Sequence, residues 1–189
     1  DVPNARSSHS VPTPRGGGVA IVAVVAVGLS ALPFAGLASE SLESLIWSVV
    51  GAGLGVAALG FADDHGHIAA RWRLLGHFLA SGWALFWLGG LPALTVFGAT
   101  LDLGWIGHLL ALLFLVWMLN LYNFMDGMDG LAGGMAVFGF AALGAFGISG
   151  GDLFYAASCF ALVAASAGFL TANLPPARLF LGDVGSSSI

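Results

Sequence analysis

The sequence predicts an all-α protein, a polytopic bundle of about six transmembrane helices that forms a single membrane domain over residues 1–189. Of the 189 residues, 58% are hydrophobic and 8% are charged, and the mean hydropathy is +0.95. A soluble domain carries about 25% charged residues, so this chain could not cover a water-facing surface. Its apolar residues also come in runs of about 20, the length that a helix needs to cross a bilayer.

Six apolar segments have the composition of spanning helices, and short polar joints separate them. Glycine and alanine are abundant within the segments, which favours close contact between helices in lipid. The third and fifth segments are short for a span. The predicted spans are 17–37, 42–62, 74–91, 103–124, 131–148 and 153–172.

Six crossings place the polar joints alternately on the two sides of the membrane. Every basic residue falls on the side that holds residues 1–16; these are Arg6, Arg15, Arg71, Arg73 and Arg178. Because cytoplasmic loops carry an excess of arginine and lysine, this side is predicted to be cytoplasmic. The net charge of −5 and the lack of basic runs argue against nucleic acid as a partner.

Five aspartates lie at or just beyond the ends of apolar spans on this side, where desolvation makes a carboxylate costly. They are Asp63, Asp64, Asp126, Asp129 and Asp183. Successive residues of a helix point about 100° apart, so Asp63 and Asp64 could serve two different ligands. Asp183 lies in a Gly-Asp-x-Gly sequence, which we expect to form a turn with an exposed carboxylate.

A second polar series closes the fourth predicted span. Asn120, Asn123 and Asp126 recur every three residues, which places their side chains on one helix face. The series continues at Asp129, after a glycine that allows the backbone to turn close to a ligand. An oxygen-rich cluster of this kind suits Mg²⁺, which binds through one or two carboxylates and substrate phosphates.

The arm that precedes the first span has the features of a phosphate-binding surface. Arg15 leads into three glycines and then a helix N-terminus, where backbone amides and the helix dipole favour anions. His9 lies in the same arm and could meet a phosphate. His77 and His108 lie within spans, and we interpret both as helix-packing residues.

These motifs resemble the polyprenyl-phosphate N-acetylhexosamine-1-phosphate transferases, or glycosyltransferase family 4. The resemblance rests on residues 3–18, 63–64, 120–131 and 176–186, in that order and at the matching helix ends. The arm is more similar to the branch that initiates O-antigen and related glycans than to the branch that makes the first peptidoglycan lipid intermediate.

The resemblance implies a Mg²⁺-dependent reaction at the cytoplasmic face of the inner membrane. Undecaprenyl phosphate would attack a UDP-N-acetylhexosamine, giving a diphosphate-linked lipid sugar for lipopolysaccharide or another cell-envelope glycan, and UMP. By the same resemblance Asp183 would bind the metal with Asn123 beside it, and Asp63, Asp64 and Asp126 would be catalytic. The substrate-binding residues would be Asp129, Asn120, Arg15, Arg178 and His9.

The chain also departs from that family. Members have further spans and a later loop that helps to bind the nucleotide-sugar, so we expect this chain to be a fragment lacking the first helix and the C-terminal region. The lysine that some members place after the aspartate pair is absent, and Arg71 or Arg73 could stand in for it. The sequence does not decide which UDP-sugar is used or whether the protein forms a homodimer.

Two other functions compete with this hypothesis. A transporter could carry a carboxylate cluster, although transporters place such groups near the bilayer midplane. A transferase of the CDP-alcohol type would need an Asp-Gly-x-x-Ala-Arg sequence, and here Asp126-Gly127 is followed by Met128-Asp129.

Overall fold

The structure, a computed structural model, describes residues 12–31, 34, 42–66 and 68–188. It confirms the predicted all-α membrane bundle. The helices are α1 (Gly17–Ala31), α2 (Leu42–Gly66), α3 (Ala70–Leu88), α4 (Gly104–Met125), α5 (Leu131–Gly150), α6 (Leu153–Asn173) and α7 (Gly182–Ser186). A small two-stranded sheet lies between α3 and α4.

Four of the described helices, α2, α4, α5 and α6, are long and apolar enough to cross a membrane. The apolar helix α1 is described over 15 residues, and the end of its predicted span lies outside the described residues apart from Phe34. The helix α3 has 19 residues and is more polar, with two arginines near its start. Large apolar side chains such as Phe138, 80% exposed, cover the outside of the bundle, as expected of a multi-pass membrane protein.

Two helices extend beyond the predicted apolar spans beside the acidic pair. Helix α2 continues past residue 62 to Gly66 and therefore includes Asp63 and Asp64. Helix α3 begins at Ala70 rather than at residue 74. The physical reason is that Asp63 has a partner in the connection, because its Oδ1 accepts a hydrogen bond from the Ile68 amide at 2.6 Å.

Small residues let α5 and α6 pack closely. Gly133 faces Leu170, Gly144 faces the ring of Phe160, and Gly147 lies against the backbone of Ala156. Lipid tails are as apolar as the helices, so such contacts stabilise the pair by van der Waals packing of closely spaced backbones.

The first and last described segments pair with each other at one end of the bundle. Phe180 donates its amide to Pro14 O at 2.9 Å, and Gly17 returns a hydrogen bond to Phe180 O at 3.0 Å. Gly18 then donates to Leu181 O at 2.9 Å. Residues 12–18 and 180–182 are thus held together as one backbone layer.

Helix α7 is inserted between α1 and α2 beneath this layer. Gly18 approaches the backbone of Gly185, and Gly60 approaches that of Asp183 so closely that a Cβ atom has no room at either glycine. Leu181 is fully buried and packs with Ile21, Ala132 and Phe169. The expected Gly-Asp-x-Gly turn is therefore wrong, since Asp183 lies in the first turn of a short helix.

A β-hairpin that the all-α prediction did not contain joins α3 to α4. Strands β1 (Leu94–Val96) and β2 (Ala99–Leu101) are antiparallel, with Leu94 opposite Leu101 and Val96 opposite Ala99. Phe97 and Gly98 form the loop with φ of +50° and +82°. Positive φ values at both loop residues are what a type I′ hairpin turn requires.

Candidate functional site

The predicted site residues come together at one end of the bundle. Helices α2, α4 and α6 end there, and α1, α3, α5 and α7 begin there, because consecutive long helices run in opposite directions. This end of the bundle, called the site end below, holds all five aspartates that the sequence singled out. Four of them, Asp63, Asp64, Asp126 and Asp183, interact with one another or share an arginine.

Asp63 and Asp183 share the guanidinium of Arg73. Arg73 Nη1 lies 2.5 Å from Asp63 Oδ2 and 3.4 Å from Asp183 Oδ2. Asp63 is buried at 9% exposure, so the arginine offsets a charge that water reaches poorly. Of the two arginines that the sequence offered in place of the absent lysine, Arg73 is the one that contacts Asp63, while Arg71 lies over the ring of Trp72.

Asp64 faces different partners from Asp63, as the helix geometry predicts. Its Oδ1 lies 3.7 Å from Arg15 Nη1, and its Oδ2 accepts a weak hydrogen bond from the Val184 amide at 3.4 Å. The Oδ1 atom is buried and has no hydrogen-bond partner among the described residues. A buried carboxylate oxygen without a hydrogen-bond partner is costly, so a ligand donor or a cation that contacts it gains binding free energy.

Asn123 connects α4 to Asp183. Its Nδ2 donates to Asp183 Oδ1 at 3.1 Å and lies within 2.9 Å of Ser186 Oγ and 3.3 Å of Ser187 Oγ. The predicted neighbours Asp183 and Asn123 are therefore in contact. The two serines were not singled out from the sequence, because only the fold of α7 turns them inward.

Asp126 ends helix α4 within reach of the same charges. Its pKa is raised to about 7, mainly by burial and also by the negative charges of Asp183 and Asp64, while the positive charge of Arg15 lowers it. Burial also raises the pKa of Asp183, with a further rise from the adjoining carboxyl of Asp63. Both shifts come first from burial and then from neighbouring carboxylates, so both carboxyls are held in a poorly solvated, acidic site.

Asp129 and Arg178, both predicted to bind substrate, make backbone contacts at the edge of the site. Asp129 Oδ2 accepts the Ala177 amide at 2.9 Å, and exposed Arg178 donates to Thr171 O at 3.0 Å. Buried Asn173 assists, since it accepts the Gly130 amide at 2.9 Å and donates to Leu179 O at 2.9 Å. These contacts fix the α4–α5 and α6–α7 connections against each other.

Asn120 lies one turn before Asn123 on α4, further from the site end. Its Nδ2 donates to Val116 O at 2.7 Å and is 3.1 Å from His77 Nδ1. His77 packs between helices, and it also lines a small cavity with Asp63, Arg73 and Asp183. His77 follows Arg73 by one turn of α3, and this spacing was the sequence signal that could have placed His77 beside the site. The remaining predicted substrate residue, His9, lies outside the described residues.

The donor set at the site end fits a hard divalent cation. Four carboxylates, Asp63, Asp64, Asp126 and Asp183, face two guanidinium groups, Arg15 and Arg73. No group of three His, Cys, Asp or Glu side chains within residues 12–31, 34, 42–66 and 68–188 forms a ready-made cage. Mg²⁺ usually binds through one or two carboxylates, with substrate phosphates and water completing its shell.

The fold and this site define a multi-pass membrane protein with a partly buried, carboxylate-rich site at one end of its helices. Comparison with known proteins agrees with the resemblance in the sequence motifs. The family model for glycosyl transferase family 4 matches residues 46–189. The chain belongs to this family.

Relatives of two kinds match nearly the whole chain. A probable undecaprenyl-phosphate N-acetylglucosaminyl 1-phosphate transferase of Bacillus subtilis is 32% identical, over 98% of this chain and 51% of the relative. A phospho-N-acetylmuramoyl-pentapeptide-transferase of Geobacillus kaustophilus is 34% identical, over 94% of this chain and 58% of the relative. The chain spans about half the length of the curated relatives it matches.

Proposed function

We propose that the protein transfers an N-acetylhexosamine-1-phosphate from a UDP-sugar to undecaprenyl phosphate and releases UMP. The product would initiate a cell-envelope glycan such as O-antigen, and the site end would face the cytoplasm at the inner membrane. The observation that carries the proposal is the group of four aspartates and two arginines at one membrane end, in a chain of this family.

The reaction joins two anions, and the site end supplies what that requires. A phosphate oxygen of the lipid forms a bond to the β-phosphorus of the UDP-sugar, and the bond from that phosphorus to the bridging oxygen of UMP breaks. A monoester phosphate is already largely ionised near neutral pH. Bringing the anions together is therefore the harder task, and Arg15 and Arg73 lie where they can lower their repulsion.

Asp183 and Asn123 are the residues that we assign to Mg²⁺. Asp183 is the carboxylate that contacts both Arg73 and Asn123, and its pKa is raised by burial and by the neighbouring carboxyls of Asp63 and Asp64. When bound, Mg²⁺ would neutralise phosphate oxygens and orient the leaving group. Asp64 has a buried oxygen with spare acceptor capacity, so it is the better placed of the acidic pair to take a remaining proton from the lipid phosphate.

The test measures release of UMP by the purified protein. The protein would be expressed together with any residues that flank this sequence in its gene. The protein would be placed in vesicles with undecaprenyl phosphate and a panel of UDP-N-acetylhexosamines. We expect UMP and a lipid-linked sugar diphosphate in equal amounts, lost in EDTA and restored by Mg²⁺. Release of UDP would contradict transfer of a phosphosugar, and uptake of UDP-sugar without UMP would favour a transporter.

A further inference from the structure

The β1–β2 hairpin has one apolar face and one polar face. Residues opposite each other on antiparallel strands point to the same side of the sheet, and successive residues alternate. Leu94 and Val96 therefore share a face with their partners Leu101 and Ala99, whereas Thr95 and Thr100 share the other face. All six residues are exposed, with Leu94 at 40% and Leu101 at 50%.

The tip of the hairpin adds a large side chain in an unfavourable backbone conformation. Phe97 is fully exposed and has a φ of +50°. A residue with a Cβ pays about 1 kcal/mol or more in this region, which glycine or asparagine occupies readily. No contact within the described chain offsets that cost, so the benefit of a phenylalanine comes from what surrounds the protein.

The hairpin is confined to the membrane boundary. Helix α3 ends at Leu88, and α4, which is long and apolar enough to cross a membrane, begins at Gly104; large apolar side chains are exposed at these two ends, including Phe86 at 77% and Trp105 at 74%. Only residues 102 and 103 separate β2 from the start of α4, so the base of the hairpin lies beside the end of that helix. A three-residue strand spans about 10 Å, which is comparable with the polar layer of roughly 5–8 Å on each side of the hydrocarbon.

We propose that the apolar face of this hairpin lies in the headgroup layer of the bilayer, on the side opposite the site end, with Phe97 inserted deepest. The bilayer is favoured over a second copy of the chain because a stable interface needs about 800 Å² from each partner. Four small or medium side chains and one ring on a hairpin of this size fall short of that area. An amphipathic element beside lipid-facing helices is instead the usual form of an interfacial anchor.

Two adjacent residues of β1 provide a matched test. Single-cysteine variants Val96→Cys and Thr95→Cys, made with Cys159→Ala, would be labelled with bimane. The full chain would be reconstituted in phosphatidylcholine–phosphatidylglycerol vesicles, with and without bromine on the acyl chains. We expect a blue shift and bromine quenching for the label at 96, and neither for the label at 95.

A second pair, Leu101→Cys and Thr100→Cys, repeats the comparison on β2 and keeps the test decisive if one variant fails to fold. Adding Phe97→Asn should weaken quenching at residue 96, because the deepest side chain is removed while the loop is relaxed. Equal quenching on the two faces would overturn the proposal. An unquenched label at residue 96 would overturn it as well. A disulfide between two unlabelled Val96→Cys chains would then identify a second copy as the occupant.

Discussion

At the scale of single residues, Arg73 holds the position that matters most for charge balance. One of its nitrogens contacts carboxylates from α2 and α7 at once. A cation that binds Asp183 must share that carboxylate with Arg73 or displace it. Arginine is a strong, permanently charged partner of carboxylates and phosphates, so a released Arg73 could contact a substrate phosphate while remaining beside Asp63.

Replacing Asp183 by asparagine tests the metal assignment. The amide keeps the size of the side chain but removes the charge, so Asp183→Asn should lower kcat by about a hundredfold or more. Glu43→Gln is the matched control, because Glu43 is exposed in the first turn of α2, at the opposite end of that helix. The measurement is UMP release together with Mn²⁺ binding by electron paramagnetic resonance. Unchanged Mn²⁺ binding by Asp183→Asn would rule the assignment out.

The raised pKa of Asp126 predicts how the stability of the metal-free protein depends on pH. Its pKa of about 7 in the folded protein lies above the usual carboxyl value, so the folded state binds the proton more tightly. The resulting stabilisation is complete below the unfolded pKa of about 4 and is lost as the pH rises through about 7. In EDTA, Tm should therefore fall between about pH 5 and pH 8, and less steeply in Asp126→Asn.

Thermal unfolding followed by tryptophan fluorescence measures this dependence. Asp102→Asn, in an exposed residue at the other end of the bundle, should keep the wild-type slope. A slope that Asp126→Asn leaves unchanged would mean that another group carries the titration. Mg²⁺ added at about pH 8 should raise Tm more in the wild type than in Asp126→Asn, because bound cation favours the ionised carboxylate.

At the scale of elements, the sequence predicts the long helices well and the short elements poorly. The six apolar segments are determined by composition, because unpaired backbone groups cannot face lipid. The hairpin and α7 are not, since each depends on few residues. Phe97-Gly98 lacks the usual asparagine of a tight hairpin, and Gly182-Asp183-Val184-Gly185 has turn chemistry that packing against α1 and α2 overrides.

The contact between α1 and α7 predicts a strong effect of a small substitution. A Cβ at Gly18 would collide with the backbone of Gly185, whereas one at Gly28 of the same helix would meet nothing within 4 Å. Gly18→Ala should therefore lower stability by about 1–3 kcal/mol through overpacking. Gly28→Ala should be neutral or raise stability by up to about 1 kcal/mol through helix propensity.

Thermal unfolding of both variants in one detergent measures the difference. Because Gly18 lies in the layer that holds α7, Gly18→Ala should also weaken Mn²⁺ binding, and Gly28→Ala should not. Equal Tm values for the two variants would show that α7 can shift without cost.

At the scale of the whole molecule, the gathering of acidic motifs at one end could be predicted by counting spans. An even number of crossings separates the motifs at Asp63, Asp126 and Asp183, so they must share a side. The individual contacts could not be predicted in this way, because they depend on how each helix is rotated about its axis. Two examples are the contact between Asn120 and His77 and the hydrogen bond from the Ala177 amide to Asp129.

Cysteine labelling in cells tests the shared side. In a Cys159→Ala background, Gly66→Cys and Leu174→Cys should react with a membrane-impermeant maleimide only after the cell membrane is opened. Asp102→Cys and Asp152→Cys, exposed at the opposite end, should react in intact cells whose outer layers are permeable to the reagent. Residues 66 and 174 reacting from opposite faces would disprove the common site.

The pairing of residues 12–18 with residues 180–182 has a consequence for biosynthesis. A nascent chain enters the membrane from its N-terminus, so Gly17 and Gly18 are inserted long before Phe180 and Leu181 leave the ribosome. Until then α1 and α2 have no α7 between them, and Asp64 lacks the Val184 amide. The site end therefore stays incomplete, with its charges near lipid, while about 120 further residues are translated. This makes it a natural target for insertion chaperones and membrane proteases.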